Sequence, residues 1–167
     1  GESEAYGRDY ESLLIQAASK KEVAWVDVEA CRKDVEAYAL VERLHEQKAG
    51  VIASAHFFSE TPDRERRNEI LKTLQASGAD VLKLAVMPRT AADVLDLLSW
   101  TEEKTRSMET PIVTMAMGGL GMLSRISGYL TGSALTFGTV GKASAPGQLP
   151  VKDMKRIFSG FSSSDRT

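Results

Sequence analysis

Five short apolar runs at regular intervals are the feature that most limits how this chain can fold. They begin at residues 23, 50, 81, 111 and 133, so consecutive starts lie 22 to 31 residues apart. That interval is about the length of one strand–helix–strand unit. The runs are nearly continuous in apolar residues, which is typical of parallel strands buried on both faces. We therefore predict an α/β fold whose parallel strands are 23–28, 50–56, 81–87, 111–117 and 133–140.

Between these runs, apolar residues recur at spacings of three and four, the period of an amphipathic helix. The residues at the ends of the helical stretches agree with this interpretation, because several are types that begin or end helices. The predicted boundaries are an N-cap at Thr61 followed by Pro62, a capping box at Thr90 and Asp93, and left-handed C-caps at Gly50 and Gly78.

Two architectures fit a series of strand–helix units. One is a section of a TIM-type (β/α) barrel, and the alternative is an open doubly wound sheet; both bind ligands at the carboxyl ends of the strands. A complete barrel takes about 250 residues, whereas this chain has 167. The barrel interpretation is therefore an incomplete barrel with about five units, forming a single domain over 1–158 and followed by a polar tail at 159–167.

Composition excludes several classes of function. The 21 Lys and Arg residues nearly balance 23 Asp and Glu, and only 7% of residues are aromatic, which argues against a protein that binds nucleic acid through phosphate contacts. No apolar run approaches the roughly 18 residues of a membrane helix. Cys31 is the single cysteine, so there is no disulfide framework and no cysteine-based metal cluster. We predict a cytoplasmic protein with no nucleic-acid or membrane partner and no metal.

Lys83 is the sharpest anomaly, because it interrupts the otherwise apolar run 81–87. A buried amine must find a partner or lose hydration, and desolvation favours the neutral form that makes a Schiff base with a carbonyl. The alternative is a lysine that extends its ammonium group to water. His56 ends the preceding run, and neighbouring strands lie about 4.8 Å apart. An imidazole there is expected close to the amine, where it can move protons at neutral pH, although a strand-end histidine more often bonds to backbone.

Two further segments have the composition of ligand-binding loops. The glycine-rich run 117–121 precedes Arg125, and both a helix N-terminus and an arginine suit an anion such as a carboxylate. Its glycines match no nucleotide-binding motif. The loop 141–148 offers Ser144 and Gln148 as hydrogen-bond donors. The alternative for the first segment is that its glycines serve tight packing. The alternative for the second is that it is an ordinary connecting loop.

Taken together, these segments resemble one family, the type I 3-dehydroquinate dehydratases, which are Schiff-base enzymes of the shikimate pathway. The similarity runs from the first strand to Lys152 and is most specific at 83–88, 117–125 and 136–148. It implies a TIM-type barrel and a lyase that converts 3-dehydroquinate to 3-dehydroshikimate without a cofactor. The expected partners are that small molecule and a second copy of the chain, either as a homodimer or through open barrel edges.

The resemblance also implies a role for each candidate residue. Lys83 would condense with the C3 carbonyl, and His56 would take the C2 proton and then protonate the departing C1 hydroxyl. Arg125 would hold the substrate carboxylate, while Ser144 and Gln148 complete the binding shell. Retention of both Lys83 and His56 argues against a non-catalytic sensor, while an inactive fragment stays an open alternative. Arg125 with the loop argues against another Schiff-base enzyme such as a class I aldolase.

The chain departs from the family at three places, one of which is the segment 118–120, where the family usually has a more polar run. The family often has Asn before this histidine and Asp after it, whereas Ala55 and Phe57 stand here, so polar neighbours that orient an imidazole are missing. The family also carries arginines on earlier strands and a glutamate on the loop after the third strand. The chain starts just after the position of that glutamate, so it is expected to be the C-terminal part of the barrel.

Overall fold

A computed structural model describes residues 8–141 and 147–164, and in that part of the chain helices alternate with four strands. The elements are α1 (Arg8–Ala18), β1 (Trp25–Glu29), α2 (Ala37–Glu46), β2 (Gly50–Phe57), α3 (Arg64–Ala76), β3 (Val81–Val86), α4 (Ala91–Ser107), β4 (Ile112–Ala116), α5 (Met122–Ile126), α6 (Gly128–Thr131) and α7 (Val151–Ser164).

The four strands form one parallel sheet in the order β1-β2-β3-β4. In β1 and β2, Trp25 pairs with Gly50 and Glu29 pairs with Ser54. Sequential order is that of a barrel section, because a doubly wound sheet reverses its strand order at a switch point. The predicted α/β class is confirmed, and the barrel section is favoured over the open doubly wound alternative. Among the described residues, no helix has the length and apolar character needed to cross a membrane.

The chain divides into two compact units, the first formed by Gly1–His56 with Pro62–Leu84 and the second by Phe57–Thr61 with Ala85–Thr167. In the first unit, the apolar stripe of α2 is buried at Leu40, Val41 and Leu44. In the second unit, Leu97 and Trp100 of α4 are fully buried. These buried positions recur at helical spacing, although two other apolar residues of the same helices, Tyr38 and Leu95, are 58% and 61% exposed.

The capping box that begins α4 is present as predicted. The Asp93 amide donates to Thr90 Oγ1 at 3.2 Å, and the Thr90 amide donates to Asp93 Oδ2 at 2.9 Å. The predicted N-cap at Thr61 is wrong, because Asp63 caps α3 by accepting from the Arg66 amide at 2.8 Å. The Thr61 hydroxyl instead donates to the Met87 carbonyl.

The two predicted glycine C-caps have different outcomes. Gly78 follows the C-cap of α3 with φ +75°, which confirms its left-handed position. Gly50 is the first residue of β2, and the left-handed residue after α2 is Lys48 at φ +63°. A Cβ on Gly50 would lie 2.7 Å from the Trp25 ring, so close packing rather than backbone geometry explains this glycine.

The predicted fifth strand at 133–140 is wrong, since four strands rather than five occur in the described chain. The segment makes one backbone bond to β4, from the Ala134 amide to the Ile112 carbonyl at 2.8 Å. The next amide, that of Thr114, donates to the side-chain oxygen of Ser133 at 3.2 Å. Because that bond goes to a hydroxyl and not to a backbone carbonyl, the strand ladder stops there.

Helix α7 continues through Ser164, so residues 159–164 of the predicted polar tail are helical and 165–167 lie outside the described residues. Beyond residue 158 the helix has an apolar contact of its own. The Phe161 ring stacks on Tyr129 at a centroid distance of 5.7 Å. This contact stabilises a turn whose small polar residues are weak helix formers.

Candidate active site

Strand alternation gathers polar side chains on one face of the first unit. In β1, Val26 and Val28 are buried while Asp27 and Glu29 are half-buried on the opposite face, as expected from the two-residue period of a strand. Glu29 pairs in register with Ser54 of β2, which places Ser54 and His56 on that same face. The pairing therefore brings two carboxylates beside a hydroxyl and an imidazole.

Lys83 completes this cluster from β3. Its side chain is buried, and its Nζ lies 2.6 Å from Asp27 Oδ2 although the two residues are 56 positions apart in sequence. The Ser54 hydroxyl donates to the other oxygen, Asp27 Oδ1. Both carboxylate oxygens are thus engaged, and the ammonium group meets a carboxylate rather than extending to water.

His56 lies next to these charges and is itself mostly buried. Burial, helped by the positive charge of Lys83 and opposed by Asp27, lowers the pKa of His56 to about 4. Its Nδ1 is 3.7 Å from Glu29 Oε1. The imidazole is therefore neutral at pH 7 and is able to accept a proton.

Arg125 belongs to the second unit, on the short helix α5, and only 1% of its surface is exposed. Its Nη1 lies 3.9 Å from Met115 Sδ, and its carbonyl accepts a hydrogen bond from Thr136 Oγ1 at 2.8 Å. Burial lowers the pKa of Arg125. The residue lines an open cavity of about 200 Å³, whose other lining residues are Ser124, Gly128, Tyr129, Ser133, Ala134, Leu135, Thr136 and Phe158.

The structure describes one of the two predicted loop residues. Ser144 lies outside the described residues, whereas Gln148 is half-buried in the second unit. Gly147 precedes it with φ +75°, and its Cα packs so closely on the Gly118 carbonyl that a Cβ would collide with it. The described end of this loop thus contacts the glycine-rich run that leads to α5.

Sequence reasoning missed Asp27, Glu29 and Ser54 as members of the cluster. The available signal was the pair of acidic residues two positions apart in an apolar strand, because that spacing puts both carboxylates on one face. In the same sheet as a strand that carries a lysine, such a face is a candidate site for ion pairing.

The fold and this cluster define a class: an α/β protein with sequential parallel strands whose buried lysine lies beside a carboxylate and a neutral histidine. Such a set supplies the amine and the proton acceptor that imine chemistry needs.

Comparison with known proteins agrees with that class. The sequence model of the family described as type I 3-dehydroquinase matches residues 1–165, and the chain belongs to this family. It is 42% identical over 159 residues to the 3-dehydroquinate dehydratase of Clostridium novyi (strain NT), covering 95% of this chain and 63% of that protein. The protein of Listeria monocytogenes serotype 4b (strain F2365) with the same name is 40% identical over 149 residues, covering 89% of this chain and 59% of its own length.

Two crystal structures show the same fold. The 3-dehydroquinate dehydratase of Geobacillus kaustophilus HTA426 superposes with a TM-score of 0.88 at 34% identity, covering 99% of this chain and 63% of that one. The type I enzyme of Clostridium difficile, solved with covalently modified comenic acid, superposes with a TM-score of 0.88 at 37% identity, covering 98% of this chain and 65% of that one. The chain thus spans a little under two thirds of the length of these relatives.

Proposed function

We propose that this chain carries the catalytic lysine and histidine of a 3-dehydroquinate dehydratase, a hydro-lyase of the shikimate pathway that forms 3-dehydroshikimate. The observation that carries the proposal is the cluster in the first unit, in which buried Lys83 pairs with Asp27 beside neutral His56. Family membership supplies the substrate class, since the relatives bear the name of this enzyme.

The first step joins the substrate to Lys83. The ammonium group passes a proton to a neighbouring base, and Asp27 Oδ2 is 2.6 Å from Nζ. The free amine then adds to the C3 carbonyl, and one water leaves as the C=N bond forms. The protonated imine withdraws electrons from C2 and so acidifies the C2 proton. This electron sink is covalent, and the step requires no metal or organic cofactor.

His56 performs the proton transfers that follow. Its neutral imidazole takes the proton from C2, which leaves an enamine on Lys83. The C1 hydroxyl then departs as water with the proton that His56 returns, and the double bond forms between C1 and C2. Hydrolysis of the imine consumes one water, releases the product and restores the amine.

Arg125 is proposed to hold the substrate carboxylate, because a guanidinium pairs with a carboxylate through two parallel hydrogen bonds. Ser144 and Gln148 are proposed to donate hydrogen bonds to the same ligand. These three assignments rest on motif positions shared with the family. The ligand of the Clostridium difficile structure, described there as covalently modified comenic acid, fits a family in which a protein side chain bonds to its ligand.

Borohydride reduction of the chain with 3-dehydroquinate tests the proposal directly. Wild type is expected to give a covalent adduct that peptide mapping places on Lys83, because borohydride reduces an imine to a stable amine. Lys83→Ala is expected to lose the adduct entirely. Lys72→Ala, which removes an exposed lysine on α3, is the matched control and should keep it.

An adduct that persists in Lys83→Ala, or that maps to another lysine in wild type, would refute the assignment. If the Lys83 adduct forms but no conjugated product absorbance develops, the chain acts as a ligand sensor and not as a dehydratase. A sensor would have no turnover to lose, so His56→Ala would form the same Lys83 adduct as wild type and neither would form product.

Two expectations about the wider setting belong to this proposal. We infer a cytoplasmic location, which a role in amino-acid biosynthesis favours. We also infer that two copies associate, because β1 ends the described sheet and a strand with unpaired edge groups tends to pair. Cell fractionation and light scattering after gel filtration check these inferences.

A further inference from the structure

Helix α5, which carries Arg125, is too short to hold its own position. It has five residues, Met122–Ile126, and no side chain caps its N-terminus, whereas an isolated helix needs more than about 12 residues to be stable in water. Contacts with the rest of the second unit therefore decide where Arg125 lies. We propose that Thr136 is a positioning residue for Arg125, because its hydroxyl holds the backbone from which the guanidinium projects. This inference rests on the proposed function, in which Arg125 holds the substrate carboxylate.

The C-terminal carbonyls of α5 are satisfied by the groups around them. The last carbonyls of a helix lack partners within it. Here the Leu123 carbonyl accepts from the Ser127 amide at 3.1 Å, and the Ser124 carbonyl accepts from the Ser127 hydroxyl at 3.3 Å. The Arg125 carbonyl accepts from Thr136 Oγ1 at 2.8 Å, although the two residues are 11 positions apart. Thr136 thus supplies the bond at Arg125 itself, from a segment outside the helix.

The N-terminal end of α5 lies against the end of β4. The Ser124 hydroxyl accepts from the Ala116 amide at 2.9 Å and donates to the Gly121 carbonyl at 2.6 Å. A Cβ on Gly121 would collide with the Ala116 carbonyl, so only glycine allows this approach. One end of the helix is therefore fixed to β4, and the Thr136 bond fixes the other.

The guanidinium end of the Arg125 side chain contacts β4. Its Nη1 lies 3.9 Å from Met115 Sδ. Thr114, the preceding strand residue, bonds with its hydroxyl to Thr101 of α4, so the two-residue period of a strand turns Met115 away from that helix. A thioether is a weak acceptor, so a carboxylate, which pairs with a guanidinium through two charged bonds, competes with it readily. Because only 1% of Arg125 is exposed, its guanidinium follows the position of its backbone.

Thr136 also lines the cavity that Arg125 lines, so direct contact with a ligand is the alternative role. A threonine hydroxyl has one proton, and Thr136 gives it to the Arg125 carbonyl. A carboxylate only accepts hydrogen bonds, so this hydroxyl has no proton left to donate to it. Thr136 is therefore expected to affect the substrate through Arg125 and not by touching it.

The test measures how borohydride trapping at Lys83 depends on the concentration of 3-dehydroquinate. Thr136→Val keeps the shape of the side chain and removes the donor. It is expected to raise the half-saturating concentration and KM roughly fivefold, as the loss of one hydrogen bond implies. The maximal extent of trapping and kcat should stay near wild type, because carboxylate binding is common to the ground and transition states. Thr136→Ser retains the hydroxyl and should recover most of the loss.

Two further variants separate positioning from a purely structural effect. Thr105 is half-buried in the same unit, and its hydroxyl donates to the Thr131 carbonyl at 2.7 Å. Thr105→Val makes the same chemical change, so it should lower the melting temperature as Thr136→Val does but leave the half-saturating concentration unchanged. In an Arg125→Ala background, Thr136→Val should raise that concentration no further, because Thr136 acts through the missing guanidinium.

The inference is wrong if Thr136→Val binds 3-dehydroquinate as wild type does, or if Thr105→Val weakens binding equally. An effect of Thr136→Val that persists in full without Arg125 would also overturn it, since Thr136 would then touch the substrate itself. Should Thr136→Val fail to fold, Thr136→Ala takes its place, and its comparison with Thr136→Ser decides by the same measurement. A wild-type chain that is not trapped at Lys83 refutes the proposed function and this inference with it, whereas normal trapping that does not respond to Thr136 refutes the inference alone.

Discussion

The two units satisfy their buried polar groups in different ways. In the first unit, the buried cation Lys83 lies against the carboxylate of Asp27, so opposite charges are paired inside a strand layer. In the second unit, neutral hydroxyls fill the same need: Thr114 Oγ1 is 2.6 Å from Thr101 Oγ1, which donates to the Leu97 carbonyl at 2.7 Å. The first unit also contains buried hydroxyl-to-backbone bonds, such as Ser77 Oγ to the Leu74 carbonyl at 2.6 Å, so the difference between the units lies in the buried Lys83–Asp27 ion pair.

The segment around Arg125 follows the second pattern. The Ser124 hydroxyl donates to the Gly121 carbonyl at 2.6 Å and accepts from the Ala116 amide at 2.9 Å. Satisfied hydroxyls hold a chain at little energetic cost, whereas a buried ion pair is often no more stable than an apolar substitute. The charged pair of the first unit is thus best explained by its role in the proposed reaction. The hydroxyls of the second unit are best explained by their hydrogen bonds to the backbone, which fix its position.

The largest predicted effect comes from breaking the ion pair. Asp27→Asn is expected to reduce the free energy of unfolding by about 1–3 kcal/mol, less than the roughly 3–5 kcal/mol for a fully buried pair, because water screens the outer part of Asp27. The Asp27 side chain is 36% exposed. Urea denaturation measures the change.

Two variants control for this effect. Asp153→Asn removes an exposed carboxylate 3.9 Å from Arg156 and should alter stability by less than about 0.5 kcal/mol. Adding Lys83→Met to Asp27→Asn should recover part of the loss, since the uncompensated cation is gone. If Asp27→Asn is no more harmful than Asp153→Asn, the pair does not hold the first unit together as described.

A smaller effect is expected in the hydroxyl region. Thr114→Val preserves shape, and Thr101 still donates to the Leu97 carbonyl, so the loss is one hydrogen bond worth about 1 kcal/mol. Thr73→Val on α3 is the matched control, because the Thr73 hydroxyl is exposed and bonds only within its own helix turn, to the Glu69 carbonyl. A loss for Thr114→Val as large as that for Asp27→Asn would remove the contrast between the units.

The smallest effect concerns Asp80 in the first unit, where a charge is exposed. Burial alone would raise the pKa of Asp80, but the Val51 amide at 2.7 Å and His45 at 3.0 Å outweigh it and lower that pKa. The carboxylate therefore stabilises the fold above its unfolded pKa of about 3.9, and the stabilisation is lost as the pH falls through the lower folded value.

Asp80→Asn tests this pH dependence. The difference in unfolding free energy between wild type and the variant should be below about 1 kcal/mol near pH 5 and shrink toward pH 3, since the pair is largely solvated. Chemical denaturation across that range measures it. A difference that grows with acid would reverse the assigned direction.

Much of the fold was predictable because local patterns carry it. The nearly continuous apolar runs marked β1 to β4, and apolar residues at helical spacing marked the helices but not always their buried faces, since Leu97 is buried whereas Tyr38 is 58% exposed. The Thr90 and Asp93 pair is a contact between residues three apart, so its geometry follows from the local sequence. Where local patterns competed, prediction failed: Thr61 and Asp63 are both good N-cap residues, and only the contact of Thr61 with Met87 decides between them.

The sequence by itself determined the order of strands and helices, the presence of Lys83 in an apolar strand, and the motifs that mark the family. Tertiary structure alone decided which groups touch: Asp27 with Lys83, Glu29 with His56, and Tyr10 with the end of β1. It also decided that 133–140 does not complete a strand, because Ser133 meets β4 with its side chain. The physical reason is the same in each case, since these partners are distant in sequence and only strand register and packing bring their atoms within bonding distance.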